Sequence, residues 1–140
     1  MYAIALKGRS ASEHINLLTA MYRLRRRVFK ERLDWNVTSS GEFEIDIYDT
    51  LDPTYLLVMS TRGEVLGCVR LLSTMGPTMV ADVFPYLLGG QSPPRNPRIL
   101  ESSRFCIDTE LAGKGSDTGI NRATFVLFAA VIEAMRAEKA

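Results

Sequence analysis

Tyr55-Leu56-Leu57-Val58-Met59-Ser60-Thr61-Arg62-Gly63-Glu64-Val65-Leu66-Gly67-Cys68-Val69-Arg70-Leu71-Leu72 is the stretch on which the fold turns. Two apolar runs, Tyr55 to Ser60 and Val65 to Leu72, flank the polar, glycine-bearing segment Thr61 to Glu64, which is the pattern of a β-hairpin. One residue breaks it. Arg70 sits inside the second run, and a guanidinium is rarely buried without a partner. Glu101, in the strand candidate Ile99 to Ile107, is its expected mate. That pair reads equally well as structural or as catalytic.

Upstream, Asp52-Pro53 starts a turn, and Gly41 opens another strand. There Phe43, Ile45 and Ile47 alternate with Glu44, Asp46 and Tyr48, so period two puts the apolar residues on one face and Asp46 on the other. Asp46 and Asp49 end this strand ahead of the turn. Two carboxylates there could hold a ligand's ammonium or ribose hydroxyls. Turn chemistry alone also explains them. Farther back, Leu17, Met21, Leu24 and Val28 recur at helical spacing, which predicts an amphipathic helix over residues 12–33 with a capping box from Ser10 and Glu13. Near its end Arg25 and Phe29 share a ridge, and Trp35 follows just beyond. An aromatic pair beside a cation suits a ligand with a flat ring system and a negative group. Tyr2 to Leu6 reads as a short strand.

Downstream, residues 73–97 are punctuated by Gly76, Pro77, Gly89, Gly90, Pro93, Pro94 and Pro97, with room for a short helix near Ala81 to Leu88. Long connections of this kind often form lids or binding walls. In the strand at 99–107, Glu101 and Arg104 are three apart, and a regular pleat sends them to opposite faces. One shared site therefore requires a bulge near Ser102 or Ser103. Residues 117–138 predict a helix capped by Asp117 or Thr118, with Ile120, Ala123, Leu127, Ala130, Val131 and Met135 on its apolar face. Early strands and a helix after the last one give an α/β (α+β) sandwich on a mostly antiparallel sheet.

At 140 residues the chain is expected to be one domain. Hydrophobic content of 46% and charged content of 24% are ordinary for a soluble protein, and a net charge of +1 selects no partner. The basic run Arg23, Arg25, Arg26, Arg27, Lys30 and Arg32 is partly offset by Glu13 and Glu31; Arg23, Arg27 and Lys30 read as a solvated stripe, not a nucleic-acid surface. His14 has no second ligand and is expected at the surface. Cys68 and Cys106 match no metal or redox spacing, so buried reduced thiols are expected. There is no P-loop, no G-x-G-x-x-G and no metal-ligand cluster, and Gly113-Lys114-Gly115-Ser116 is only a loose phosphate cradle. The run Ile120 to Met135 is too short to span a bilayer, and the N-terminus lacks a signal peptide.

The pattern R-x-x-V-F-x-x-x-L-x-W over Arg25 to Trp35 resembles the opening motif of the LuxI-type acyl-homoserine lactone synthases. The resemblance continues through Glu44-x-Asp46-x-Tyr48-Asp49, Tyr55-Leu56-Leu57-Val58, Gly67-Cys68-Val69-Arg70-Leu71-Leu72, Val83-Phe84-Pro85 and Glu101-Ser102-Ser103-Arg104-Phe105. It implies an N-acyltransferase-like α/β/α sandwich acting on S-adenosylmethionine and an acyl carrier protein or acyl-coenzyme A thioester. The methionyl amine takes the acyl group, and the methionyl carboxylate closes the lactone. Carried over by motif, Arg25, Phe29, Trp35, Asp46, Asp49, Phe84 and Arg104 shape the S-adenosylmethionine side. Arg70 and Glu101 are the catalytic candidates, with Glu101 accepting the amine proton directly or through water. No metal and no cofactor beyond the S-adenosylmethionine substrate is implied, and the setting is cytoplasmic, without nucleic acid or a membrane span.

Members of that family normally continue past the helix at 117–138 into more sheet and the acyl-chain pocket. Residues 1–140 are therefore expected to form a single autoinducer synthase-like domain, incomplete at its C-terminus. Two other functions compete. One is a non-catalytic S-adenosylmethionine-binding domain. The other is a different acyl-coenzyme A-dependent N-acyltransferase, for which Gly113-Lys114-Gly115 would be a weak pyrophosphate loop.

Overall fold

Tyr55 to Leu72 forms the predicted hairpin: β4 (Thr54–Met59) pairs antiparallel with β5 (Val65–Ser73). The turn between them is closed by Ser60, whose hydroxyl accepts from the N–H groups of Arg62 and Glu64, while Gly63 takes a φ of 83° that suits glycine. The computed structural model describes residues 1–113 and 119–138, with the side chains of 9–11 left aside. β1 (Tyr2–Lys7) lies on the outer side of β4, and β6 (Leu100–Ile107) on the outer side of β5, giving a four-stranded antiparallel sheet in the order β1-β4-β5-β6.

Both faces of this sheet are covered, which is why β4 and β5 read as nearly continuous apolar runs. Tyr55, Leu57 and Met59 of β4 pack with Leu18, Met21, Leu24 and Val28 on one side. Leu56 and Val58 pack with Ala123 and Leu127 on the other. The helix α1 (Ile15–Arg25) supplies the first layer and α3 (Arg122–Ala137) the second, so the architecture is the expected α/β/α sandwich.

Several local expectations change. The predicted helix over 12–33 is a 3-10 turn (Gly8–His14), then α1, then a π-helical segment (Arg26–Arg32) in which the Leu33 N–H reaches the Val28 carbonyl at 3.0 Å. His14, exposed as expected, stands at the start of α1 and gives no side-chain cap; the capping box assigned to Ser10 involves a side chain outside the described residues. The predicted strand through Phe43–Tyr48 is mostly absent. It survives only as a small ribbon, β2 (Ser39–Ser40) with β3 (Phe43–Glu44), followed by a 3-10 turn at Ile47–Thr50. Its polarity is reversed too: Glu44 is 0% exposed and Ile47 is 71% exposed. Arginines waiting inside the sandwich draw Glu44 inward, and ion pairing overrides the apolar alternation.

The helix expected near Ala81 to Leu88 is split into α2 (Met79–Asp82) and a 3-10 turn at Pro85–Leu88, because Pro85 cannot donate to the preceding turn. α3 starts at Arg122 on Asn121, whose side chain accepts from the Ala123 N–H at 2.8 Å; Asp117 and Thr118, the caps expected from sequence, lie outside the described residues, as do 114–116 of the loose phosphate cradle. Of the predicted apolar face of α3, Ala123 and Leu127 are fully buried and Ala130 and Val131 partly so, while Ile120 and Met135 are exposed. Among the described residues no helix is long and apolar enough to cross a membrane.

Candidate functional site

On the α1 face of the sheet, three arginines meet three carboxylates, all six nearly closed off from solvent. Arg25 is the last residue of α1, Arg70 lies in β5 and Arg104 in β6; Glu44 ends β3, while Asp46 and Asp49 frame the following 3-10 turn. Arg25 donates to Glu44 at 2.5 Å and, through both terminal nitrogens, to Asp49 at 2.8 and 2.9 Å. Arg70 donates to Asp46 at 2.5 and 3.1 Å, to Asp49 at 2.9 Å and to the Ser103 hydroxyl at 3.1 Å. Arg104 donates to Glu44 through Nε and Nη2, and to Asp46 at 2.9 Å. Forked guanidiniums suit this bidentate bonding, and three charges of each sign cancel.

Burial opposes the charge on both sides, and pairing wins. For Asp49 it disfavours ionisation, but the hydrogen bonds and charge of Arg25, with the charge of Arg70, hold the carboxyl well below the usual carboxylate range. For Arg25 burial pulls the other way, and Asp49 and Glu44 keep it charged, well above its ordinary value. Tyr55 donates its hydroxyl to Asp49 at 2.8 Å; burial and then the Asp49 charge push that phenol far upward, so it stays a neutral donor.

Asp46 and Asp49 carry the turn chemistry expected of them, and their charged partners are arginines of the chain itself. Asp46 accepts from the Tyr48 N–H and Asp49 from the Asp46 N–H, each at 2.9 Å, while the same carboxylates bind the arginines. The expected Arg70–Glu101 pair is not formed. The register sets Leu72 opposite Glu101 and Arg70 opposite Ser103, and the aspartates of the turn reach Arg70 first. Glu101 instead accepts the backbone N–H groups of Met79 and Val80, at 2.9 and 2.7 Å.

β6 is irregular, as one shared site requires, but the break falls at Arg104 and not at Ser102 or Ser103. Its pairing runs from Cys106 opposite Cys68 to Ser103 opposite Arg70, leaving one extra residue, and Arg104 has a φ of 57°. A positive φ in a residue with a side chain is uncommon and strained. The bulge turns Arg104 to the side that Glu101 occupies, and both line one cavity.

That cavity has a volume of about 960 Å³. Trp35, Asp46, Phe84, Glu101 and Arg104 are the sequence-predicted residues on its wall; Arg25, Phe29, Asp49 and Arg70 stand behind it. Phe29 acts from below: its ring stacks on Trp35 at 5.1 Å and lies under the Arg104 guanidinium at 5.6 Å. Tyr48 similarly supports Arg70, at 5.6 Å, and its hydroxyl donates to Asp82. Sequence reasoning set no role on Glu44, although three arginines in one core call for a third acid. Met79, whose sulfur touches Arg70 and Arg104, gave no such signal.

Other charges pair outside this cavity. Arg23 pairs with Glu42 at 2.7 Å and Arg27 with Asp108 at 2.9 Å, so the basic stripe is partly neutralised. Cys68 and Cys106 are buried free thiols, with sulfurs 3.6 Å apart on paired strands.

A family model described as autoinducer synthase matches residues 9–140. A probable acyl-homoserine-lactone synthase of Sinorhizobium fredii is 44% identical over 133 residues, spanning 95% of this chain and 64% of its own length. An acyl-homoserine-lactone synthase of Pseudomonas aeruginosa is 41% identical over 132 residues, spanning 93% and 61%. Among solved structures, the AHL synthase LasI superposes with a TM-score of 0.70 at 39% identity, covering 97% of this chain and 64% of that one. The CoA-dependent acyl-homoserine lactone synthase BjaI, with SAM and isopentyl-CoA, gives 0.82 at 29% identity, covering 97% and 61%. A putative N-acetyltransferase from Lactobacillus plantarum, at 20% identity and a TM-score of 0.51, shares the fold, covering 98% of this chain and 70% of that one. The chain thus spans less than two thirds of the length of these synthases.

Proposed function

This chain belongs to the autoinducer synthase family, and from that premise we propose that it takes part in acyl-homoserine lactone synthesis, with S-adenosylmethionine in the cavity beside Arg104. One observation carries the reading: a single cavity offers a stacked aromatic wall, a guanidinium and a separate carboxylate. Trp35 and Phe84 suit the adenine. Arg104 suits the methionyl carboxylate, and Glu101 is the carboxylate not drawn into the arginine network.

The proton transfer and the ring closure each then have a residue. Glu101 keeps lone pairs beyond the two that accept backbone N–H groups, so it can take the ammonium proton, directly or through water. The freed amine attacks the thioester carbonyl, forming the amide and releasing the thiol. The methionyl carboxylate, steered by Arg104, displaces methylthioadenosine by breaking the carbon–sulfur bond, and the lactone closes. Arg25, Phe29, Asp49 and Arg70 hold this geometry from behind. Residues 1–140 act in this reading as one synthase-like domain in the cytoplasm, with an acyl carrier protein or acyl-coenzyme A thioester as donor.

Trp35 reports the first part of the test. Titrating the folded chain with S-adenosylmethionine should change its emission saturably, and no change at saturation would sink the assignment. Incubation with acyl carrier protein and acyl-coenzyme A thioesters, followed by mass spectrometry for lactone, then identifies the donor. Residues 1–140 should bind without making lactone, and a form extended to the family's length should make it; binding without lactone in both would favour the non-catalytic S-adenosylmethionine-binding reading.

A further inference from the structure

Met79 touches both halves of the candidate site. It is the first residue of α2, preceded by Thr78, whose hydroxyl accepts from the Ala81 N–H. The Met79 backbone N–H donates to Glu101 Oε1 at 2.9 Å. Its Sδ lies 3.2 Å from Arg70 Nη2 and 3.6 Å from Arg104 Nη1. Glu101, Arg70 and Arg104 therefore meet at one residue that lines the cavity itself.

We propose that Met79 is a positioning residue, whose thioether holds the outer edges of the Arg70 and Arg104 guanidiniums in register with Glu101. This rests on the S-adenosylmethionine reading of the cavity. The side-chain type fits the task. A fourth carboxylate here would unbalance a buried cluster in which three charges of each sign already cancel. A hydrocarbon would leave guanidinium N–H groups without an acceptor. A thioether is uncharged, polarisable and only a weak acceptor. It can keep Arg104 Nη1 turned toward the cavity and still yield that edge to a substrate carboxylate. Met79 touches no reacting atom in this scheme; it acts through Arg104 and Glu101.

The test compares Met79→Leu, close in volume but without an acceptor, with Met79→Gln, which restores one. Two readouts are needed: affinity for S-adenosylmethionine from Trp35 emission, and rotation of the Arg70 and Arg104 guanidiniums from nitrogen-15 NMR of their side chains. Met79→Leu should speed guanidinium rotation and weaken binding roughly two- to fivefold, the lower part of the range for one hydrogen bond as suits a weak acceptor, and Met79→Gln should recover most of both. Unchanged rotation in Met79→Leu overturns the proposal. So does faster rotation with unchanged affinity, which would make Met79 merely structural, or a Gln variant no better than the Leu variant. A wild-type chain that ignores S-adenosylmethionine overturns the functional reading instead, and the guanidinium signals then still decide whether the thioether holds the arginines.

Discussion

Arg104 grips Glu44 side-on: Nε and Nη2 both donate to Oε1, at 3.1 and 3.0 Å, across sixty positions of sequence. The contact exists because a strained bulge in β6 turns Arg104 inward and a broken strand releases Glu44. Glu44 also accepts from Arg25, so one fully buried carboxylate ties α1 to β6.

Glu44→Gln should therefore be among the most damaging conservative changes in this chain. Removing one partner of a buried ion pair leaves an uncompensated charge and costs about 3–5 kcal/mol. Urea unfolding measures the loss. A variant within about 1 kcal/mol of wild type, the range of an exposed pair, would mean that Glu44 is not the buried anchor described.

Asp49 gives the cluster a pH dependence of known sign. Its carboxyl titrates lower in the folded chain than in the unfolded one, whose value is about 3.9. The stability it contributes is whole above that value and drains as pH falls from about 4 toward the depressed folded value. Asp49→Asn should be less stable at neutral pH and lose less between about pH 4 and pH 2. An equal acid slope in both proteins would rule out a depressed Asp49.

Glu101→Gln should cost less than Glu44→Gln, because Glu101 pairs with no arginine and holds two backbone N–H groups. A Gln amide must turn a donor toward one of them, a mismatch of about 1–3 kcal/mol. Hydrogen exchange at the Met79 and Val80 amides should accelerate. Unaltered protection at both amides would contradict the assigned contacts.

Gly67→Ala should destabilise the β5–β6 pair. A Cβ on Gly67 would stand 2.9 Å from the Cys106 carbonyl oxygen, which belongs to backbone and cannot swing aside. Overpacking of this sort costs about 1–3 kcal/mol. Thermal unfolding of the variant at the wild-type temperature would show that the strands can separate freely there.

Local pattern made much of the fold legible. The β4–β5 hairpin, the amphipathic spacing of Leu17, Met21, Leu24 and Val28, and the helix carrying Ala123 and Leu127 are all visible in short windows, because burial imposes a period on neighbours. Trp35, Asp46, Phe84, Glu101 and Arg104 of the cavity wall were legible as motif blocks, and the spacing of Glu101 and Arg104 even required a bulge. Glu44 was not legible, since its position in an apparent alternation assigned it to solvent. Met79 was not either, since a methionine at the start of a four-residue helix carries no periodic signal.

Sequence by itself determined that Arg70 would need an acid partner inside an α/β sandwich, and that an aromatic pair would stand beside a cation. Tertiary structure alone decided which acid meets which base. Arg70 takes Asp46 and Asp49, Glu44 serves Arg25 and Arg104, and Glu101 is left to the backbone of α2. These pairings join segments up to 60 residues apart, through a bulge and a 3-10 turn that no short window encodes. Coulomb energy in a dry interior depends on distance and burial, and both are fixed only when the layers close.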